Sequence, residues 1–489
     1  MMDLTIKPIN SITVVGGGSA GWLTAAILSN SDPNLQITII DKEVSQRIGV
    51  GEATTLEFPA AMKQAGFEVS DWFDRIDATI KVGIYFPNWN EKDIWHPFST
   101  DIFYNNRSNQ LPVSSIDVWS NYQTFDFKQY GIRYYNTCVE ENSVNILDDK
   151  TAYHIDAVKL ALFLEEELKK RSNVNSINST VVNILRDQNN NITSLELANG
   201  TSQQSDLYID CTGFARLLAK DFEVVHLDGR LFCDTAIATP VQYINQEDEM
   251  FPYTRCEQVD HGWIWTTPTQ KRIGTGIVFN RNITDPETAK QFLYNYWNER
   301  VDLEKCRLID WTPHHISNPW QNNVVAIGLS AGFIEPLEST GLALIALGVQ
   351  TLYNNISGRY YQADIRNKYN SSMISYFENC IDFVSMHYCN STKDTPFWNY
   401  VRSTYVESQK QKYYKDKFSS DAKLNYNPSF NDIFAETNWA LWMIQLGFEY
   451  KPKECGSKEW LYKNMIACSL DMDKEKISHV LAVQNKNNC

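Results

Sequence analysis

No stretch of this 489-residue chain is long and apolar enough to cross a bilayer as a helix. The opening Met1-Met2-Asp3-Leu4-Thr5-Ile6-Lys7 has no basic segment followed by an apolar one, so no secretory leader is read there and a cytoplasmic location is expected. Positive charge is in short supply. Lys plus Arg number 44 against 59 Asp plus Glu, a formal net charge of -15, which argues against nucleic acid or an anionic membrane as the main partner. Solubility is the plainer meaning of that acidity. The ten cysteines include no CxxC pair and no His/Cys cluster at ligand spacing, so no metal site is expected and reduced, structural thiols are the default. Without secretion, sequons such as Asn178-Ser179-Thr180 would never meet a glycosylation machinery and are discounted. No internal repeat or low-complexity run divides the chain, and nothing in it decides for or against a homo-oligomer.

Aromatic residues are plentiful, with 14 Trp, 25 Tyr and 23 Phe, which suits a protein that lines a flat ligand with rings. The length exceeds one ordinary core, so two interlocked modules or one elaborated domain is expected. Ile12-Thr13-Val14-Val15 reads as a strand, Gly16-Gly17-Gly18-Ser19-Ala20-Gly21 as a glycine loop, Trp22–Leu28 as a helix and Gln36–Ile40 as a second strand. The loop allows a pyrophosphate to approach the unpaired N–H groups of the helix N-terminus, and Asp41 follows at the distance of a ribose-binding acid. A lone glycine fingerprint is weak; strand, helix, strand and acid together point to a dinucleotide.

Further along, Asp156–Lys170 carries a helical apolar stripe, and Val181–Leu185, Ile192–Leu197 and the Asn199-Gly200 turn read as a meander. Leu207–Gly213 resembles the strand and small-residue turn that brings the chain back to the flavin in FAD proteins of the glutathione-reductase type, although an ordinary strand and turn would look the same. Asn323–Gly332 is a third such element, with a helix from Leu342 onward. After about residue 365 the texture is helical and aromatic. The expected fold class is α/β: an FAD-binding, Rossmann-like domain of glutathione-reductase type with mixed sheets over 1–365, and a largely helical module over 366–489.

Several residues stand out chemically. Lys81 interrupts the apolar run Ala78–Phe86; it is either a strand-edge lysine reaching water or a buried amine whose lowered pKa makes it a nucleophile or a fixed donor. Glu338-Ser339-Thr340-Gly341 precedes a helix, and is either a capping segment or an acid beside exposed N–H groups that would bind an anion. Gly51-Glu52-Ala53 is a plain turn or a strap over a ring. Trp263-Ile264-Trp265, closed by Pro268, would be core if its tryptophans were taken singly, and His96 would be an unremarked loop histidine.

The box Trp263-Ile264-Trp265-Thr266-Thr267-Pro268, together with the glycine fingerprint, resembles the signature of flavin-dependent halogenases, the tryptophan halogenase family. Thr267 stands where that box commonly has isoleucine. The resemblance extends to Lys81 shortly before Asn88-Trp89, to Pro336–Gly341, and to the Asp394–Trp398 region, so it covers nearly the whole chain. It implies Lys81 and Glu338 as catalytic residues with Ser339 beside them, and Thr340-Gly341 as the halide cradle. FAD would be held by Gly16, Gly18, Ser19, Ala20, Gly21, Asp41, the strap Gly51-Glu52-Ala53, Gly328 and Leu337. The box of Trp263, Trp265 and Pro268 would keep substrate from the flavin, and His96, Phe98 and Phe434 would line the substrate site. The implied cofactors are FAD, delivered as FADH2 by a separate flavin reductase met transiently, a halide ion and O2. Positions where free-tryptophan halogenases carry a tyrosine pair, a glutamate and a tryptophan hold Ala422, Lys423, Ser429 and Phe434, so an indole or phenol other than free tryptophan is expected. An aromatic hydroxylase would share the nucleotide elements without needing Lys81 or the box, and a flavin-binding protein without turnover is a third alternative.

Overall fold

Four of the five residues of Ser11–Val15 are buried, as a β-branched run must be at the centre of a parallel sheet covered on both faces. In the computed structural model, which describes residues 9–42, 51–81, 83–97, 151–357, 363–420 and 432–448, this strand lies between Leu207–Asp210 and Gln36–Asp41, parallel to both. Val174–Asn178 extends the sheet on one side, and Val324–Ala326 with the antiparallel edge strand Trp320–Gln321 on the other. The helix Ser19–Ser31 packs on this sheet against two further helices, Ala157–Leu168 and Gly341–Ile356. Asp156 caps the former, accepting from the amides of Val158 and Lys159. The meander forms as expected: Val181–Arg186, Ile192–Leu197 and Ser202–Gln203 make a three-stranded antiparallel sheet.

A seven-stranded sheet stands beside the first. Its order is Arg307–Asp310, Thr235–Val241, Ile273–Phe279, Gly262–Pro268, Thr254–Val259, Gly83–Trp89, Lys92–Pro97. Side chains alternate across the Gly262–Pro268 strand. Trp263 and Trp265 face the main core, whereas Ile264 faces a second apolar cluster with Ile237, Ile277 and Phe279, closed by Ala289 and Leu293 of the helix Pro286–Tyr296.

A third, small sheet has Ala152–Ile155 at its centre, with Glu52–Ala53 on one side and Thr79–Lys81 on the other, all antiparallel. The strap and the lysine therefore share one strand.

Helices Ala363–His387, Pro396–Thr404, Gln409–Phe418 and Glu436–Gln445 follow. The first of these runs across the division expected at 365/366. Its Glu378 pairs with Arg230 and His315, and its Asn379 donates to Asp432 and to the Phe434 carbonyl, so one contiguous core reaches from Ile9 to Leu446. No helix among the described residues is long and apolar enough to cross a membrane.

Candidate active site

The glycine loop is built for close approach. Gly16 has φ of 107° and donates to the Ile40 carbonyl at 2.8 Å. A Cβ on Gly17 would stand 1.9 Å from Asp41 Oδ2, so the acid at the end of the second strand lies directly against the loop. Gly18, at the cap of the Ser19–Ser31 helix, faces open space and provides no side-chain cap, which leaves the helix's first N–H groups to an external acceptor. These features fit the pyrophosphate and ribose of a dinucleotide. Ser19 anchors the loop to the Ala157 carbonyl, and Ala20 packs where a Cβ on Gly328 would fall 2.9 Å away.

Asp210 organises the return to this loop. Its Oδ1 accepts from the amide and hydroxyl of Thr212 and from Ser330, and its Oδ2 from the amides of Leu218 and Ala219. The strand end at Thr212-Gly213 and the turn Gly328–Ser330 are thereby locked together. Asp210 has no local signature in the sequence, because its four partners lie in three separate segments.

Strap and lysine meet through backbone. Thr54 exchanges hydrogen bonds with Tyr153, and its carbonyl accepts from Lys81 Nζ at 2.9 Å. On the strap itself, burial and then the charge of Asp156 push the Glu52 carboxyl up to about 7. Lys81 is wholly buried, so of its two alternative readings the water-seeking strand-edge lysine is excluded. It donates a second bond to Ser339 Oγ at 2.8 Å. Burial brings its pKa from 10.5 down to about 7, against the opposing pull of Cys256 and Glu338.

Ser339 turns the chain through the left-handed region (φ 61°), a conformation a non-glycine residue keeps only when its surroundings hold it. That turn presents Ser339 to Lys81 while Glu338 points inward. Glu338 Oε2 lies 2.8 Å from His96 Nδ1 and Oε1 lies 2.5 Å from His387 Nε2. Burial raises the carboxyl's pKa, but the two imidazoles outweigh it and hold the group at about 2. His96 is in turn met by Asn438 Nδ2 at its Nε2, 3.0 Å away. Next in the chain, buried Thr340 caps the Gly341–Ile356 helix with no side-chain cap bond, and a Cβ on Gly341 would meet nothing within 4 Å. Exposed amides and open space at a helix N-terminus suit a small anion.

The tryptophan box lies beside this cluster. Trp263 is buried, its ring centroid 6.3 Å from that of Trp265, and its Nε1 points to Glu335 Oε2 at 3.4 Å. Tyr388 donates to the same oxygen at 2.7 Å. Burial pushes the Glu335 carboxyl up to about 7. Pro268 ends the box strand, and its carbonyl accepts from Thr79, two residues before Lys81. Leu337 is buried, with its carbonyl near Cys256 Sγ. Phe434 stacks on Phe383 with centroids 4.0 Å apart, and the His96 ring lies 6.1 Å from it. His96 thus sits beside Phe434, as the substrate reading requires, but its nitrogens are committed to Glu338 and Asn438. Phe98, Ala422, Lys423 and Ser429 lie outside the described residues. Glu335 was visible as a charge in the apolar run Phe333–Leu337, the same kind of signal as Lys81, and was not assigned; Asn438 gave no signal.

The chain is similar to known proteins over most of its length. The tryptophan halogenase family profile matches residues 11–457. Tryptophan 6-halogenase ThaL of Streptomyces albogriseolus is 27% identical over 426 residues, covering 81% of this chain and 79% of that one. The 7-chloro-L-tryptophan 6-halogenase KtzR of a Kutzneria species is 29% identical over 418 residues, covering 79% and 81%. Among solved structures, Xcc4156, a flavin-dependent halogenase from Xanthomonas campestris, shares the fold with a TM-score of 0.81 at 24% identity, over 98% of both chains. This chain belongs to the tryptophan halogenase family of flavin-dependent halogenases.

Proposed function

We propose that the chain is an FADH2-dependent halogenase acting on an electron-rich indole or phenol other than free tryptophan, with Lys81 and Glu338 as its catalytic residues. One observation carries the reading. Lys81 and Ser339, 258 positions apart, are hydrogen-bonded in a buried site, and the neighbouring Glu338 enters the same site. Gly16, Gly18, Ser19, Ala20, Gly21 and Asp41 would hold the dinucleotide, with the strap Gly51-Glu52-Ala53, Gly328 and Leu337 at the flavin. Bound as FADH2 from a separate flavin reductase, with O2 and a halide ion, the flavin supplies hypohalous acid.

Every other role falls to side chains and backbone of this chain. Thr340 and Gly341 hold the halide at the helix N-terminus. Trp263, Trp265 and Pro268 fill the space that would let substrate touch the flavin, so the oxidant has to travel. Lys81, with a pKa of about 7, is present in both protonation states near neutrality. As ammonium it donates to the oxygen of hypohalous acid; as amine it takes up the halogen as a haloamine. Glu338, fixed on both oxygens, takes the proton from the substituted ring carbon. His96, Phe383 and Phe434 supply a flat aromatic face for the substrate. The nearby cations Lys410 and Lys417 are already paired with Asp432 and Glu436, which supports a substrate without an amino-acid backbone.

The test is mass spectrometry of products from protein, FAD, a flavin reductase, NADH, oxygen and a panel of indoles and phenols with each halide. Halogenated product that disappears in Lys81→Ala is expected. Hydroxylated product that persists in Lys81→Ala would instead establish an aromatic hydroxylase.

A further inference from the structure

His387 is wholly buried, its plane fixed by Trp442 at a centroid distance of 3.7 Å and by the edges of Phe86 and Phe383. Its Nδ1 lies 2.9 Å from the carbonyl of Phe383. A carbonyl only accepts, so Nδ1 carries the hydrogen. Nε2 then faces Glu338 Oε1 at 2.5 Å. A ring lone pair and a carboxylate lone pair do not rest that close in a dry interior; a proton lies between them. Either His387 is an imidazolium beside a carboxylate, or it is neutral beside a carboxylic acid. Both descriptions put the same single proton in the pair.

The other oxygen is settled differently. Asn438 Nδ2 donates to His96 Nε2, which leaves the hydrogen on His96 Nδ1 to donate to Glu338 Oε2. Besides the two imidazoles, the titratable groups whose charge bears on Glu338 are Lys81, Cys256 and Cys380. Burial lowers the affinity of the His387 ring for a second proton, against the opposing hydrogen bond and charge of Glu338.

We infer that His387 and Glu338 keep one shared proton in reserve, lend it to the oxygen that leaves hypohalous acid, and recover it from the halogenated ring carbon. This rests on the halogenase reading above. In the first step the ring's π pair forms the carbon–halogen bond and the halogen–oxygen bond breaks with its electrons on oxygen. The reserve proton joins that oxygen to give water. In the second step the ring C–H bond breaks, its electrons restore aromaticity, and the proton returns to Glu338. The halogen is reduced and the ring carbon oxidised; His387 and Glu338 end as they began. His387 is thus a positioning residue that acts through Glu338.

The proton is looked for first in the resting protein carrying FAD, without turnover, by histidine 15N NMR and infrared spectroscopy between pH 6 and 9. The expected result is either a doubly protonated ring or a carboxylic C=O band near neutrality, lost in both His387→Gln and Glu338→Gln. Absence of both signals at pH 7 overturns the inference whatever the turnover data show. In turnover, His387→Gln keeps a donor for Glu338 but has no proton to lend. It is expected to bind FAD as the wild type does and keep its KM, with kcat reduced on the order of 10²- to 10⁴-fold. Its rate should fall about tenfold per pH unit where the wild-type rate is level. A loss independent of pH, with KM altered, would mean that His387 only shapes the site, and would overturn the lending step. A wild type that makes no halogenated product defeats the halogenase reading and the lending step with it, while the spectra still decide whether the proton is there.

Discussion

Replacing Lys81 by methionine should change the pH dependence of stability in a calculable way. Lys81 has no exposure, and burial takes its pKa from 10.5 to about 7 in the folded protein. Between those values the unfolded chain binds the proton and the folded one does not, so stability rises with pH across this window and is lost as pH falls back through it. At 1.36 kcal/mol per unit, the shift corresponds to about 4 kcal/mol against folding at pH 7 and about 2 kcal/mol at pH 9. Lys81→Met removes this contribution. It also strips hydrogen bonds from the Thr54 carbonyl and Ser339 Oγ, a pH-independent loss of about 1–3 kcal/mol each at most. The absolute change at one pH therefore mixes two effects, and its slope does not. Urea unfolding followed by tryptophan fluorescence, run on both proteins from pH 7 to 9, should show the wild type gaining about 2 kcal/mol on the variant. A difference that stays flat over that range would mean that Lys81 remains charged when buried, and the haloamine role would go with it.

Two further outcomes are expected. Gly17→Ala would drive a Cβ into Asp41, whereas Gly18→Ala meets nothing; the first should lower the melting temperature of the FAD-free protein and weaken FAD binding at least tenfold by fluorescence titration, and the second should leave the FAD-free melting temperature unchanged. Glu335 has its carboxyl raised to about 7, so the folded chain holds a proton there that the unfolded chain releases above 4.5, and stability falls as pH rises from 4.5 to 7. Glu335→Gln should remove that fall and gain about 3 kcal/mol on the wild type by pH 7 in the same urea assay; equal pH profiles would show that Glu335 is ionised throughout.

What could be read from the chain alone was whatever has a local signature. The strand, glycine loop and helix of 12–28 lie within one short window, and Asp41 follows by counting. Lys81 announces itself as a charge in an apolar run, and Glu338 stands before a helix start. The partnerships were not legible. His96 reaches Glu338 across 242 positions and Asn438 across 342, and no periodicity encodes such a pairing. The small sheet joining strap and lysine has the same character, since its central strand lies far along the chain from both edges. The fold boundary expected near 365 came from a change of texture, which marks where helices begin and not where a core ends; the helix Ala363–His387 shows the difference.

The Gly262–Pro268 strand separates two apolar clusters, with Trp263 and Trp265 turned one way and Ile264 the other. Parity is thus a heritable constraint. Inserting or deleting a single residue within this strand would exchange the faces, burying an indole in the outer cluster and setting an isoleucine against Glu335. Lineages descended from such a protein are free to vary this segment by substitution, but to change its length only in even steps or beyond its ends.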